Sequence, residues 1–197
     1  MDQKPWDVHP ALMEDRLCCI ANIISDVRNR TIDLHDPNDG DGVWSLGCRI
    51  YERTINIIDR ESKKISWLDT IKNGLYFVIL IDGVPIRFYK GDVDNPTMRS
   101  LHRRYPELEA QQYLFSFYEP EWFWRIVAET ADDGKILRIV MLQYTESGDS
   151  KNLWEIPITE PVTVETPSLD TVRESVVLEK PVVKPKVEKT IGVAHNG

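Results

Sequence analysis

"LYFVILIDGVPIRFYKG", Leu75 to Gly91, is the stretch whose reading decides the fold. Two β-prone runs flank Asp82-Gly83, a pair favoured in two-residue type I′ turns because both central residues must take positive φ. In the second run Val84, Ile86 and Phe88 alternate with Pro85, Arg87 and Tyr89, so the strand has two distinct faces. Pro85 lacks an N–H, which predicts a sheet edge or a bulge at that point. A hairpin in mid-chain leaves the remaining segments to supply its neighbours and its cover.

Downstream, "WFWRIVAET" (122–130) and "KILRIVMLQYTE" (135–146) read as two strands joined by the turn Ala131-Asp132-Asp133-Gly134, and "NLWEIPI" (152–158) reads as a last strand. Upstream, Leu17, Ile20, Ile24, Val27, Thr31 and Leu34 recur at spacings of three and four. They mark one stripe of a helix that begins near Pro10 and stops at Asp36-Pro37. A second helix is expected from Ser45 to about Ile65, with Gly47 implying a close helix contact and Trp44 anchoring the return of the chain. Pro106 suits the first position of a further helix over 106–117. These elements imply an α+β fold. An antiparallel helix pair packs on one face of a mainly antiparallel sheet of about five strands, with one helix between the hairpin and the C-terminal meander.

Aromatic residues and tryptophans end before residue 159, and Pro, Val, Lys and Glu dominate residues 159–197. The expected organisation is a flexible N-terminus (1–8), one domain (9–158) and a disordered tail (159–197). The chain has 197 residues and a net charge of −8. Such acidity disfavours general binding to phosphate backbones. No apolar run is long enough for a membrane helix, and the N-terminal residues lack the pattern of a signal peptide. Three cysteines, Cys18, Cys19 and Cys48, do not make a disulfide framework. They read as structural cysteines in a reducing cytoplasm, with at least one of Cys18 and Cys19 facing the core.

The loop "HDPNDGDGVW" (35–44) is the densest polar stretch. It departs from the calcium-loop pattern at the fifth, sixth and twelfth positions counted from Asp36, and it lacks the Lys-Ser/Thr of a phosphate loop. His35, Asp36, Asp39 and Asp41 are the only candidate metal ligands, and a metal-dependent hydrolase using them is an alternative reading. The favoured reading is a polar turn in which aspartates cap helix ends. Glycine fingerprints, nucleophile elbows and zinc-peptidase motifs are absent, so no catalytic residue and no cofactor is expected.

Two stretches point elsewhere. In "MRSLHRRYPE" (98–107), Arg99, His102, Arg103 and Arg104 form the densest basic cluster of the domain, with Arg87 just upstream. Arginine favours bidentate recognition of carboxylate or phosphate, so the cluster reads either as a site for an anion or acidic partner, with nucleic acid as a further alternative, or as a solvated helix face offset by Glu107 and Glu109. In "FSFYEPEWFWR" (115–125), Trp122 and Trp124 fall on one face of a strand and Phe123 on the other. One set is expected in the core and the other on a partner-binding patch. The stretches "DGVWSLGCRIYERT", "GVPIRFYKGD" and "WRIVAET" resemble segments of small uncharacterised bacterial proteins paired genetically with a toxin-type zinc metallopeptidase. The resemblance covers about 9–158 and implies an antitoxin, immunity or defence-related inhibitor, without catalytic residues. The expected function is non-enzymatic protein binding through Arg87, Arg99, His102, Arg103, Arg104, Trp122 and Trp124. The partner would be a toxin or a second copy of the chain.

Overall fold

The computed structural model describes residues 3–115 and 122–159, with the side chains of 112–115 left out. The expected disorder of the tail and the aromatics Phe117 and Tyr118 lie outside the described residues. The element order is α1 (Pro5–Val8), α2 (Glu14–Asp33), α3 (Val43–Ser62), β1 (Leu68–Asn73), β2 (Tyr76–Ile81), β3 (Val84–Lys90), α4 (Met98–Leu101), α5 (Tyr105–Phe115), β4 (Phe123–Thr130), β5 (Ile136–Tyr144) and β6 (Ser150–Ile156). The fold is α+β, with one mixed sheet in the order β1-β2-β3-β4-β5-β6.

The central hairpin forms as expected. Asp82 and Gly83 take φ of 44° and 85°, the double positive value that a type I′ turn demands. The strand β3 is nevertheless interior, not an edge. Pro85 lies opposite Leu80, and pairing with β4 starts one residue later, at Ile86↔Trp124. Next to a two-residue turn, the second residue pair exchanges no hydrogen bonds. The proline therefore sits where neither neighbour requires its missing N–H.

The sheet has six strands rather than five. The additional one, β1, pairs with β2 from Leu68↔Ile81 to Asn73↔Tyr76. Its sequence, LDTIKN, is too polar to stand out, because an edge strand beneath α3 can satisfy its polar side chains there. Thr70 Oγ1 donates to Asp59 and Lys72 Nζ donates to Asn56, both on α3. The local signal was Gly74, whose φ of 60° opens a two-residue turn. All neighbouring pairs are antiparallel except β3 and β4, which are parallel. The crossover between them carries α4 and α5.

That crossover also changes the layering. Alternation sends Trp124, Ile126 and Ala128 of β4 towards α2 and α3, into a core with Leu17, Ile20, Ile24, Ile55 and Ile58. Phe123 and Val127 point the other way, into a second core with Val93, Leu101, Val140, Leu142 and Tyr144. Helices therefore cover both faces, not one. The helix α2 starts at Glu14, beyond Pro10. Residues 5–8 belong to the folded body, where Trp6 meets Trp154 edge-on at 5.0 Å. The space beside Gly47 is open, so no close helix contact explains it. Among the described residues no helix is long and apolar enough to cross a membrane.

Candidate functional site

Among the described residues, Arg125 is the largest side chain with no exposure to solvent. It lies within the otherwise apolar run Phe123–Ala128 of β4, and burying a lone guanidinium would cost several kcal/mol. Its partner is Glu107, also fully buried, on the first turn of α5. Arg125 Nη1 donates to Glu107 Oε1, and Nη2 reaches Oε2 at 3.4 Å. The Nε donates to the carbonyl of Ser100 at 3.0 Å, and Nη1 also donates to that of Trp124 at 2.9 Å. The Phe123 ring lies 4.2 Å below the cation. Burial lowers the Arg125 pKa, and the Glu107 charge and hydrogen bond oppose that shift.

Arg87 stands beside Arg125 in the parallel register. Two like charges on adjacent strands repel, and Glu107 relieves this because its Oε2 lies 3.9 Å from Arg87 Nη1. Arg87 donates to the carbonyl of His102 at 2.9 Å and covers the ring of Tyr76 at 4.6 Å. Tyr76 donates its hydroxyl to Glu107 Oε2 at 3.0 Å and accepts the Arg104 backbone N–H at 3.2 Å. Burial first, then the Glu107 charge, pushes the Tyr76 phenol up to about 12. Arg103 also turns inward. Its Nη1 donates to Gln111 at 2.9 Å, and its Nε and Nη2 donate to Glu146 at 3.2 and 3.1 Å.

These bonds clamp α4 and the start of α5 onto the sheet. They use the hydrogen-bonding capacity of Arg125 and Glu107 internally, which is a structural use of charge. The outer side of the clamped segment is different. Arg99, His102 and Arg104 are exposed, beside Met98 and Tyr105, which keep 77% and 74% of their surface in solvent. Arg104 also lies over Tyr76, 5.1 Å from its centroid. The surface continues to α3. Tyr51 stacks on Phe88 at 5.6 Å and donates to the carbonyl of the exposed Leu75 at 2.8 Å. Burial raises the Tyr51 pKa, while the charges of Arg87, Arg99 and Arg104 pull it back.

The expected recognition set therefore divides. Arg99, His102 and Arg104 lie together on the surface. Arg103 is buried and Arg87 is mostly turned inward. Trp124 is in the core beneath the helix pair and cannot serve as a surface anchor. Trp122 is half-buried with Lys151 Nζ 3.9 Å from its ring centroid. Both alternating sets of the aromatic strand are covered because both faces of the sheet are. Sequence reasoning missed Arg125 and the role of Glu107, which it would read as a helix-dipole partner. The available signal was the arginine inside "FWRIVA": a charge among buried neighbours requires a counter-charge.

The loop 35–44 is closed by Arg49. Its Nη2 donates to Asp41 Oδ2 at 2.7 Å and lies 3.2 Å from His35 Nδ1. The Arg49 hydrogen bond, the largest influence, holds the Asp41 carboxyl below its ordinary value. Asp36 accepts from the backbone and side chain of Asn38 at 2.8 and 3.1 Å, and Pro37–Asp39 form a 3-10 turn. Among the described residues, no three or more His, Cys, Asp or Glu are arranged to hold a metal ion. Trp44 does not anchor the chain: 82% of its surface is exposed, as is 86% of Val43. Cys18 and Cys19 are half-buried and Cys48 is exposed; burial is the first cause raising the thiols of Cys18 and Cys19. No protein-family model, no curated protein and no solved structure matches this chain.

Proposed function

We propose that the protein is a cytoplasmic, non-enzymatic protein-binding module that docks through the outer side of α4 and α5. Arg99, His102 and Arg104 supply charge-assisted hydrogen bonds, and Met98 and Tyr105 supply apolar area. One observation carries this reading. A segment fixed to the sheet by a fully buried ion pair presents unburied apolar side chains among cations, on a chain that is otherwise acidic. Pre-ordering such a segment lowers the entropy lost on binding. An inhibitor of the antitoxin or immunity type is the concrete form, since inhibition by docking requires a rigid surface and no chemistry.

The test is affinity purification of the tagged chain from its native cells, followed by titration of the recovered protein against purified chain. Saturable binding that Arg99→Glu/Arg104→Glu weakens at least about tenfold, the equivalent of about 1.4 kcal/mol, supports the reading. Unaltered affinity in that variant would sink it. His35→Ala leaves the binding unchanged.

A further inference from the structure

Among the described residues, Val8, Met13, Leu137 and Leu153 are scattered exposed apolar side chains, and the other large ones fall in two places. One is the arginine surface on the outer side of α4 and α5, with Met98, Tyr105 and Leu75. The other is the tip of the α2–α3 hairpin, where Leu34, Val43 and Trp44 are all exposed. At the tip, the buried residues of α3 begin only at Ile50. The seven residues before it, Val43 to Arg49, are exposed or half-buried. Isolated exposed apolar residues need no explanation, but clusters on ordered elements mark contact sites.

The two clusters carry opposite charge. Asp36 and Asp39 are exposed at the tip, and neither is ion-paired among the described residues. Arg99 and Arg104 are exposed at the other cluster, and among the described residues neither has a carboxylate within ion-pair distance. On a chain of net charge −8, another copy is repelled in general and attracted only where carboxylates meet this arginine surface.

Trp44 and Tyr51 lie seven residues apart on one stripe of α3. Tyr51 holds Leu75 and feels the charges of Arg99 and Arg104. The tip and Tyr51, at the border of the arginine surface, are thus about 10 Å apart along one stripe of α3.

We infer that the occupant of the arginine surface is the α2–α3 tip of a second copy of this chain. Leu34, Val43 and Trp44 of one molecule seat against Met98, Leu75 and Tyr105 of the other, with Asp36 and Asp39 facing Arg99 and Arg104. Arranged about a two-fold axis, the contact is made twice and the assembly closes as a dimer rather than growing as a filament. This inference rests on the proposed protein-binding function and names the partner of the same surface.

The experiment is light scattering and sedimentation velocity on the full chain across a broad concentration range at low salt. Doubling of the mass with concentration is expected, weakened by added salt. Arg99→Glu/Arg104→Glu stays monomeric, and so does Asp36→Lys/Asp39→Lys, because each variant sets like charge against like. Mixing the two variants restores the dimer, since each tip then meets a surface of opposite sign. Asp36 also caps its turn, so Asp39→Lys alone serves as the milder partner, and Trp44→Ser independently weakens the wild-type dimer. Circular dichroism identical to wild type confirms that the variants fold. A wild-type chain of monomer mass at every concentration overturns the inference. So does a mixture that stays monomeric. A monomeric chain that binds a different protein through Arg99 and Arg104 also overturns it, while leaving the protein-binding reading intact.

Discussion

Under the helix pair, β4 presents Trp124, Ile126 and Ala128. Under α4 and α5 the same strand presents Phe123, Arg125 and Val127. The first face is held by apolar area on two long helices, which tolerates modest changes of shape. The second face is held by a helical segment of four residues and one of eleven, too little to bury a wide apolar stripe. Directional bonds supplement a smaller apolar core there. Arg125 grips Ser100 and Glu107, Arg87 grips His102, and Glu129 accepts the Val93 N–H at 2.8 Å. The difference predicts that the first face fails gradually and the second fails when one partner is removed.

The largest effect falls on the ion pair. Glu107→Ala leaves Arg125 charged, buried and unpartnered, a loss of about 3–5 kcal/mol. Replacing both, as Glu107→Leu with Arg125→Met, removes the unpaired charge and returns most of that stability. Urea denaturation of the two variants checks this; equal losses in both would show that packing, not charge pairing, dominates the second face. On the first face, Ile58→Ala costs about 2–5 kcal/mol through the cavity it leaves. Ile58→Val costs only about 0.5–1.5 kcal/mol, a graded response for which the ion pair has no counterpart.

Much of this contrast was legible in the sequence, and its missing part has a physical cause. The 3–4 spacing of Leu17, Ile20, Ile24 and Val27 disclosed the helix pair, because one apolar stripe is a local property. Asp82-Gly83 disclosed the hairpin for the same reason. The second core was hidden, because covering it depends on a crossover that places Leu101 and Glu107 over β4, a contact remote in sequence. For that reason Trp124 could be taken for a surface residue and Arg103 for an exposed one. Arg99, on the four-residue α4, and Arg104, in the link that follows it, are exposed, because these short segments turn their outer side away from the sheet. The strand β1 escaped because its polar residues are satisfied by α3, whose position the local pattern does not reveal.

The alkaline limb of stability carries a contribution from the second face that Tyr76→Phe isolates. The Tyr76 phenol titrates near 10 in an unfolded chain and at about 12 in the fold. Below pH 10 both states keep the proton, and this stabilisation is fully present. Between 10 and 12 the unfolded chain binds fewer protons than the folded one, so stability falls as pH rises. Denaturation midpoints measured from pH 9 to 11.5 should fall more steeply in wild type than in Tyr76→Phe. Parallel curves would show that Tyr76 does not titrate against the ion pair. Tyr144 offers a smaller probe of the same face. Its hydroxyl donates to the Val93 carbonyl at 2.6 Å, and Tyr144→Phe is expected to cost about 1 kcal/mol, read as a shift in the urea midpoint at unchanged slope.

The smallest effect on folding belongs to Trp44, and it sharpens the comparison by adding a third environment. Trp124→Ala opens a cavity in the first core and costs about 3–5 kcal/mol. Trp44→Ser removes a side chain that is already in solvent, so the monomer should change by no more than about 0.5 kcal/mol. Thermal unfolding at low protein concentration separates these cases. A large loss in Trp44→Ser under those conditions would place Trp44 in the fold after all. An unchanged monomer shows instead that this tryptophan contributes nothing to folding, and that its apolar surface is available for contact between molecules.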